Sequence, residues 1–216
     1  MKGKSPQLLI LGGAGRVGQT LLQQALDRGY HVTALVRDPT VLKAITHPAL
    51  NVVKGDVRDA DLLEQLLSSG VAAVISTLGT FIKKPGTPTT DMTAPLLAAM
   101  NRQQVKRLVC MSSLGVGNSK GMGNLTVRIV TGYVLRYVLV DKQCQEKLIE
   151  YSGLDWTILR PPRILDKNEH RPYSRWQDFS QALKPKWQIS TADAAKEMLD
   201  LLEDDSSIGQ VWHISH

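Results

Sequence analysis

Seven residues constrain this chain more than any others: Gly12-Gly13-Ala14-Gly15-Arg16-Val17-Gly18. They follow Leu8-Leu9-Ile10-Leu11, an apolar run of strand length. They open a stretch in which Val17, Leu21, Leu22 and Ala25 recur at helical spacing. A strand that turns at once into a helix needs small residues where the backbone doubles back and where helix and strand touch. The turn also leaves the first N–H groups of the helix free, beside its positive dipole end, to meet phosphate oxygens. A glycine triplet alone is a weak signal, and a tight turn without a ligand is the alternative. The strand–turn–helix setting favours a dinucleotide pyrophosphate, with Gly12, Ala14, Gly15, Arg16, Val17 and Gly18 as its expected contacts.

The rest of the chain alternates in the same manner. Further strands are predicted at His31–Val36, Asn51–Val53, Ala72–Ser76, Leu108–Met111, Trp156–Leu159 and Val211–Ile214. Helices are predicted at Val17–Arg28 (ended by Gly29), Pro39–Ile45, Ala60–Leu67, Met92–Gln103, Val127–Tyr151 and Thr191–Leu202. In the long helix, Tyr133, Tyr137, Val140, Cys144, Leu148 and Tyr151 have the spacing of one buried face. This alternation implies the α/β class: one Rossmann-type, doubly wound parallel sheet with helices on both faces. Right-handed crossovers give the order 3-2-1-4-5-6, with a seventh strand at the edge. The 216 residues suit one NAD(P)-binding domain over 1–216. Loops around 115–125 and 164–188 are expected to cover a substrate.

Charge and composition narrow the partners. The net charge is +6. The cations are scattered and no nucleic-acid-binding motif is present, so a small anionic ligand is favoured over nucleic acid. No apolar run reaches the roughly 20 residues of a membrane helix. The basic start runs within a few residues into the glycines, unlike a secretory leader, so a cytoplasmic location is expected. Cys110 and Cys144 lack metal-ligand spacing, and neither a metal nor a disulfide is expected. No strongly apolar exposed helix is anticipated, so a monomer is expected.

Ligands of such sheets lie at the carboxyl ends of the strands. The second strand ends in Arg37, where a cation meets a ribose 2′-phosphate, which points to NADP(H). Asp38 could instead be the acidic residue of an NAD site, one position late, and Arg37 a solvated charge. Asp56 and Val57 follow the third strand as an acceptor and a packing surface for adenine, unless Asp56 caps the next helix. Thr77, Leu78 and Gly79 leave room for ribose and nicotinamide, or form an ordinary turn. Ser112 or Ser113 ends the fifth strand, where a hydroxyl can bond a substrate oxygen or the nicotinamide amide, or merely cap. Pro162 and Arg163 follow the sixth. A guanidinium keeps its charge at any working pH, so Arg163 would anchor an acidic substrate and not donate a proton. No Tyr-x-x-x-Lys pair is present. Its lysine survives at best as Lys142, which is also spaced for a helix salt bridge to Glu146.

These motifs together resemble those of the atypical short-chain dehydrogenases with an NmrA-like, NAD(P)H-binding domain. Within these, the chain is most similar to the biliverdin reductase B, or NADPH-dependent flavin reductase, group. The likeness runs from the glycine turn through Val32-x-x-Leu-Val-Arg37, Gly55-Asp56-Val57, Leu78-Gly79-Thr80, Ser113, Glu146-Lys147-Leu148 and Pro161-Pro162 to Ile189-Ser190-x-x-Asp193. The resemblance implies NADPH-dependent hydride transfer to a flavin or a linear tetrapyrrole, with Ser113 beside the nicotinamide. The histidine that such proteins carry after Pro-Pro is Arg163 here, so the proton would come from solvent. The alternative is a non-catalytic, NAD(P)-sensing regulator or assembly factor, which the missing tyrosine would suit.

Overall fold

The computed structural model describes residues 6–178 and 185–216. Its centre is β1 (Gln7–Leu11), whose Leu8 to Leu11 are fully buried and paired on both sides in parallel register. One neighbour is β2 (His31–Val36), which pairs in turn with β3 (Leu50–Lys54). The other is β4 (Val71–Ser76), followed outward by β5 (Arg107–Met111) and β6 (Asp155–Arg160). This is the order read from the sequence.

The edge is richer than expected. Beyond β6 lies β10 (Gln210–Ser215), the anticipated seventh strand, and then β8 (Ser174–Trp176), which runs antiparallel. A separate parallel pair joins β7 (Arg163–Leu165) to β9 (Gln188–Ser190). The stretch anticipated as a loop over 164–188 therefore carries three short strands. Pro161-Pro162 ends β6 because proline cannot donate to the ladder, and the chain restarts in the small sheet. Residues 179–184 of that expected loop lie outside the described residues.

Helices cover both faces. On one, α1 (Arg16–Asp27) and α6 (Thr191–Glu203) pack together over Leu8, Ile10 and Val32. On the other, α2 (Ala60–Leu67), α3 (Pro88–Arg102) and α5 (Arg136–Glu150) cover Leu9, Leu11 and Val74. Gly29 ends α1 at φ +85°, the left-handed region that favours glycine.

The helix expected over Val127–Tyr151 is corrected in two ways. It breaks into α4 (Leu125–Ile129), a π turn (Val130–Val134) and α5. Its inward face is not the apolar one. Asp141, Lys142, Gln145, Glu146 and Ile149 are buried, while Tyr133, Val140, Leu148 and Tyr151 are exposed. The polar residues can be buried because each finds a partner across the core. Asp141 accepts from the Thr89 and Thr90 amides at the start of α3, at 2.8 and 2.9 Å. Glu146 takes the Arg160 guanidinium in two bonds of 2.9 and 2.6 Å. The expectation that no apolar helix face is exposed fails with the same finding.

Candidate functional site

The turn after β1 has the shape its glycines suggest. Gly12 sits at φ +80°, and a β-carbon there would come within 2.9 Å of the Thr77 backbone. At Gly18 a β-carbon would collide with the Gly12 carbonyl, so only glycine lets α1 approach the strand end. Gly15 is the N-cap residue of α1, and no side chain caps the helix. Its open side faces no other residue, and its nearest neighbour to an added β-carbon is the Gly12 oxygen at 3.3 Å. The first amides of α1 are thus left for a ligand, in a cradle that fits a pyrophosphate.

A cleft of about 550 Å³ runs from this turn across the ends of β2, β3 and β4. Gly12, Ala14, Gly15, Arg37, Asp56, Val57, Thr77, Leu78 and Gly79 all line it. Arg16 is exposed on the first turn of α1 outside the lining, Val17 is buried in the core, and Gly18 is packed beneath the turn. Val17 and Gly18 can meet a ligand only through their backbone.

Arg37 is exposed and bonds to nothing among the described residues, so its guanidinium is free to take a phosphate. Asp38 is not free. It caps the short turn at Pro39–Leu42, accepting from the Thr40 amide at 2.9 Å and hydroxyl at 2.7 Å. Asp56 does not cap α2, since Asp59 does. Both Asp56 oxygens instead hold Arg58, at 3.0 and 2.5 Å. Those bonds, with Arg37 nearby, hold the Asp56 carboxyl down to about 2. It is a permanent anion, so it can only accept.

Two residues fix the strand ends. The Thr77 hydroxyl donates to the Leu11 and Gly12 carbonyls, each at 3.1 Å, joining β4 to the glycine turn. Lys142 is buried behind Gly79 and spends all three protons on protein. They go to the Leu78 carbonyl at 2.6 Å, the Met111 carbonyl at 2.9 Å and Gln145 at 2.9 Å. Burial lowers its pKa. The expected Lys142–Glu146 salt bridge is therefore absent, because each has a better partner. Lys142 holds the ends of β4 and β5 together at the cleft floor.

Ser113, Pro162 and Arg163 come together in a second cleft of about 580 Å³. Val127, Val130, Leu135 and Trp187 give it apolar walls, and Arg163 and Lys186 give it two cations. Trp187 stands at φ +55°, a backbone position that side chains rarely adopt and that tends to mark functional sites. Among the described residues the Ser113 hydroxyl bonds only the Leu114 carbonyl, at 3.1 Å. Among the described residues, no acid, tyrosine or histidine lines this cleft. Tyr133 and Tyr137 line neither cleft, and Tyr137 takes a 2.7 Å bond from Arg136.

The 115–125 loop is less free than a lid. Arg160 donates to Asn118 at 2.6 Å, Gln143 takes the Gly117 amide at 2.9 Å, and Ser119 takes the Gly115 amide at 2.9 Å. Sequence reasoning did not find Arg58, Arg160, Asn118, Lys186 or Trp187. Only Arg58 had a local signal, standing two residues from Asp56.

Comparison with known proteins agrees with this geometry. A family described as NAD(P)H-binding matches residues 12–205. An uncharacterised chloroplastic protein of Arabidopsis thaliana is 33% identical over 73% of this chain and 59% of its own length. A 3β-hydroxysteroid dehydrogenase/Δ5→4-isomerase of Mycobacterium tuberculosis is 34% identical over 82% of this chain and 52% of its own. The chain thus spans little more than half the length of these curated relatives. The anaerobilin reductase ChuY of Escherichia coli O157:H7 superposes with a TM-score of 0.79 at 23% identity, covering 97% of this chain and 96% of its own. That last likeness is one of fold.

Proposed function

The chain belongs to the NAD(P)H-binding family, and on that premise we propose that it is an NADPH-dependent reductase acting on a flavin or a linear tetrapyrrole. The observation that carries this reading is the second cleft: apolar walls, Trp187, two cations and, among the described residues, no acid. Such a lining suits a flat conjugated acceptor with phosphate or carboxylate appendages. A neighbour of the same fold acts as an anaerobilin reductase, which supports a reductase reading.

In this reading the turn through Gly12, Ala14 and Gly15 cradles the pyrophosphate, which the free amides opening α1 hold. Arg37 takes the 2′-phosphate, because Asp38 is committed to Thr40. Asp56 accepts from adenine through the lone pairs Arg58 leaves, and Val57 packs on the ring. Thr77, Lys142 and Gln145 keep the floor rigid. Reduced nicotinamide, when bound, supplies the hydride. Ser113 orients the nicotinamide amide or a substrate oxygen, with Pro162 beside it. Arg163 and Lys186 grip the anionic appendage. No acid, tyrosine or histidine lines the cleft among the described residues, and in this reading the proton comes from water.

A spectrophotometric screen of NADPH oxidation against FMN, riboflavin and biliverdin tests this. Turnover with FMN or biliverdin is expected, with FMN ahead of riboflavin because only FMN offers a phosphate. Nucleotide binding without turnover of any acceptor would instead favour the sensing role.

A further inference from the structure

Between Asp91 and Asp141 the chain has no Asp or Glu, while Lys120, Arg128 and Arg136 add positive charge around α4 and the π turn. Within this stretch, α4 and the π turn present Leu125, Ile129 and Tyr133 outward at 72%, 55% and 80% exposure. The three stand four residues apart, so they form one ridge along the helical surface. Single apolar residues on a surface are ordinary, but a contiguous ridge marks a contact. The interior does not need these side chains. The segment's other face, Val127, Val130 and Leu135, already walls the second cleft. Beside the ridge runs an apolar groove of about 730 Å³ in which Lys120, Arg128 and Arg136 are the only charged residues among those described.

We propose that this ridge and groove seat the protein on an anionic lipid bilayer. The charge is complementary to acidic headgroups, and the apolar side chains are of a kind that enters the acyl boundary. Tyr133 supplies the amphipathic ring suited to headgroup depth. The most exposed apolar side chains protrude, which suits a yielding bilayer better than a rigid protein partner. This inference is independent of the reductase reading.

The test is flotation of the full chain with vesicles of phosphatidylcholine alone, or with about one-third phosphatidylserine. Binding to the phosphatidylserine vesicles is expected to exceed that to phosphatidylcholine by about tenfold. The triple change Leu125→Ser, Ile129→Ser, Tyr133→Ser is expected to lower it about tenfold. The pair Lys120→Glu, Arg128→Glu is expected to do the same. The charge pair keeps the test valid if the serine variant does not fold. Equal flotation of wild type and both variants, or none with acidic vesicles, overturns the proposal. Self-association of the wild type in ultracentrifugation, abolished by the serine variant, would assign the ridge to a second copy and also overturn it.

Discussion

Alanine at Gly18 and at Gly15 should separate folding from binding at the turn between β1 and α1. At Gly18 the new β-carbon would collide with the Gly12 carbonyl and lie 2.8 Å from the Gly13 α-carbon, where ordinary contacts begin at 3.4 Å. Backbone must therefore yield by more than half an ångström. Overpacking of that kind costs about 1–3 kcal/mol. Better helix propensity returns less than about 1 kcal/mol. Gly18→Ala should thus unfold at lower urea, by about 1–2 kcal/mol in net stability. Gly15 is different. Its φ is −76°, which any residue adopts, and its added carbon meets only the Gly12 oxygen at 3.3 Å. Stability should change by less than about 1 kcal/mol. That carbon, however, projects toward the open side of the α1 amides, where a phosphate oxygen would lie about 2.9 Å from nitrogen. NADPH affinity should fall about tenfold or more, equivalent to about 1.4 kcal/mol. Urea unfolding followed by circular dichroism without nucleotide, and fluorescence titration with NADPH, read the two effects. A Gly15→Ala variant that binds NADPH like the wild type would refute the phosphate cradle. A Gly18→Ala variant of unchanged stability would refute the close approach.

Three further outcomes are expected. Ser113→Ala should lower kcat by up to about tenfold, the worth of one hydrogen bond; unchanged turnover would leave Ser113 a structural hydroxyl. Glu146→Gln should cost about 3 kcal/mol, because it leaves the buried Arg160 charge unbalanced. It should also speed protease cleavage near Asn118; an unchanged urea midpoint would contradict the pairing. Burial, aided by the Arg160 charge, pushes the His213 imidazole from 6.5 down to about 4. The folded ring stays neutral while the unfolded ring takes a proton below its ordinary pKa. Stability should therefore fall as pH drops from 6.5 to about 4, by about 3 kcal/mol in all. His213→Phe should flatten that slope in unfolding measured across this range, and an unaltered slope would clear the ring of the effect.

The parts of this molecule legible in sequence are those governed by local rules. The turn at Gly12–Gly18 announces itself because one backbone shape demands glycine at fixed intervals. The strand order follows from the alternation and the handedness of crossovers. What escaped was set by partners distant in sequence. Over residues 127–151 the apolar spacing pointed to Tyr133 and Val140, yet Asp141, Lys142 and Glu146 face inward. Their acceptors and donors lie at Thr89, Leu78 and Arg160, which no periodicity reveals. Lys142 and Glu146 looked like a helix pair for the same reason. The strands β7, β8 and β9 are three residues each, too short to show alternation. Arg37 and Arg163 stood out because each follows a strand directly. Lys186 and Trp187 reach the Arg163 cleft only through the β7–β9 pairing.

The central claim is that the cradle after β1 and the Arg37 guanidinium hold NADPH between them. Isothermal titration calorimetry of the folded chain with NADPH and NADH, repeated on Arg37→Glu, tests it most directly. One NADPH per chain is expected, bound about tenfold or more tightly than NADH, with that preference lost in the variant. No heat with either nucleotide, or a preference unmoved by the substitution, would contradict it.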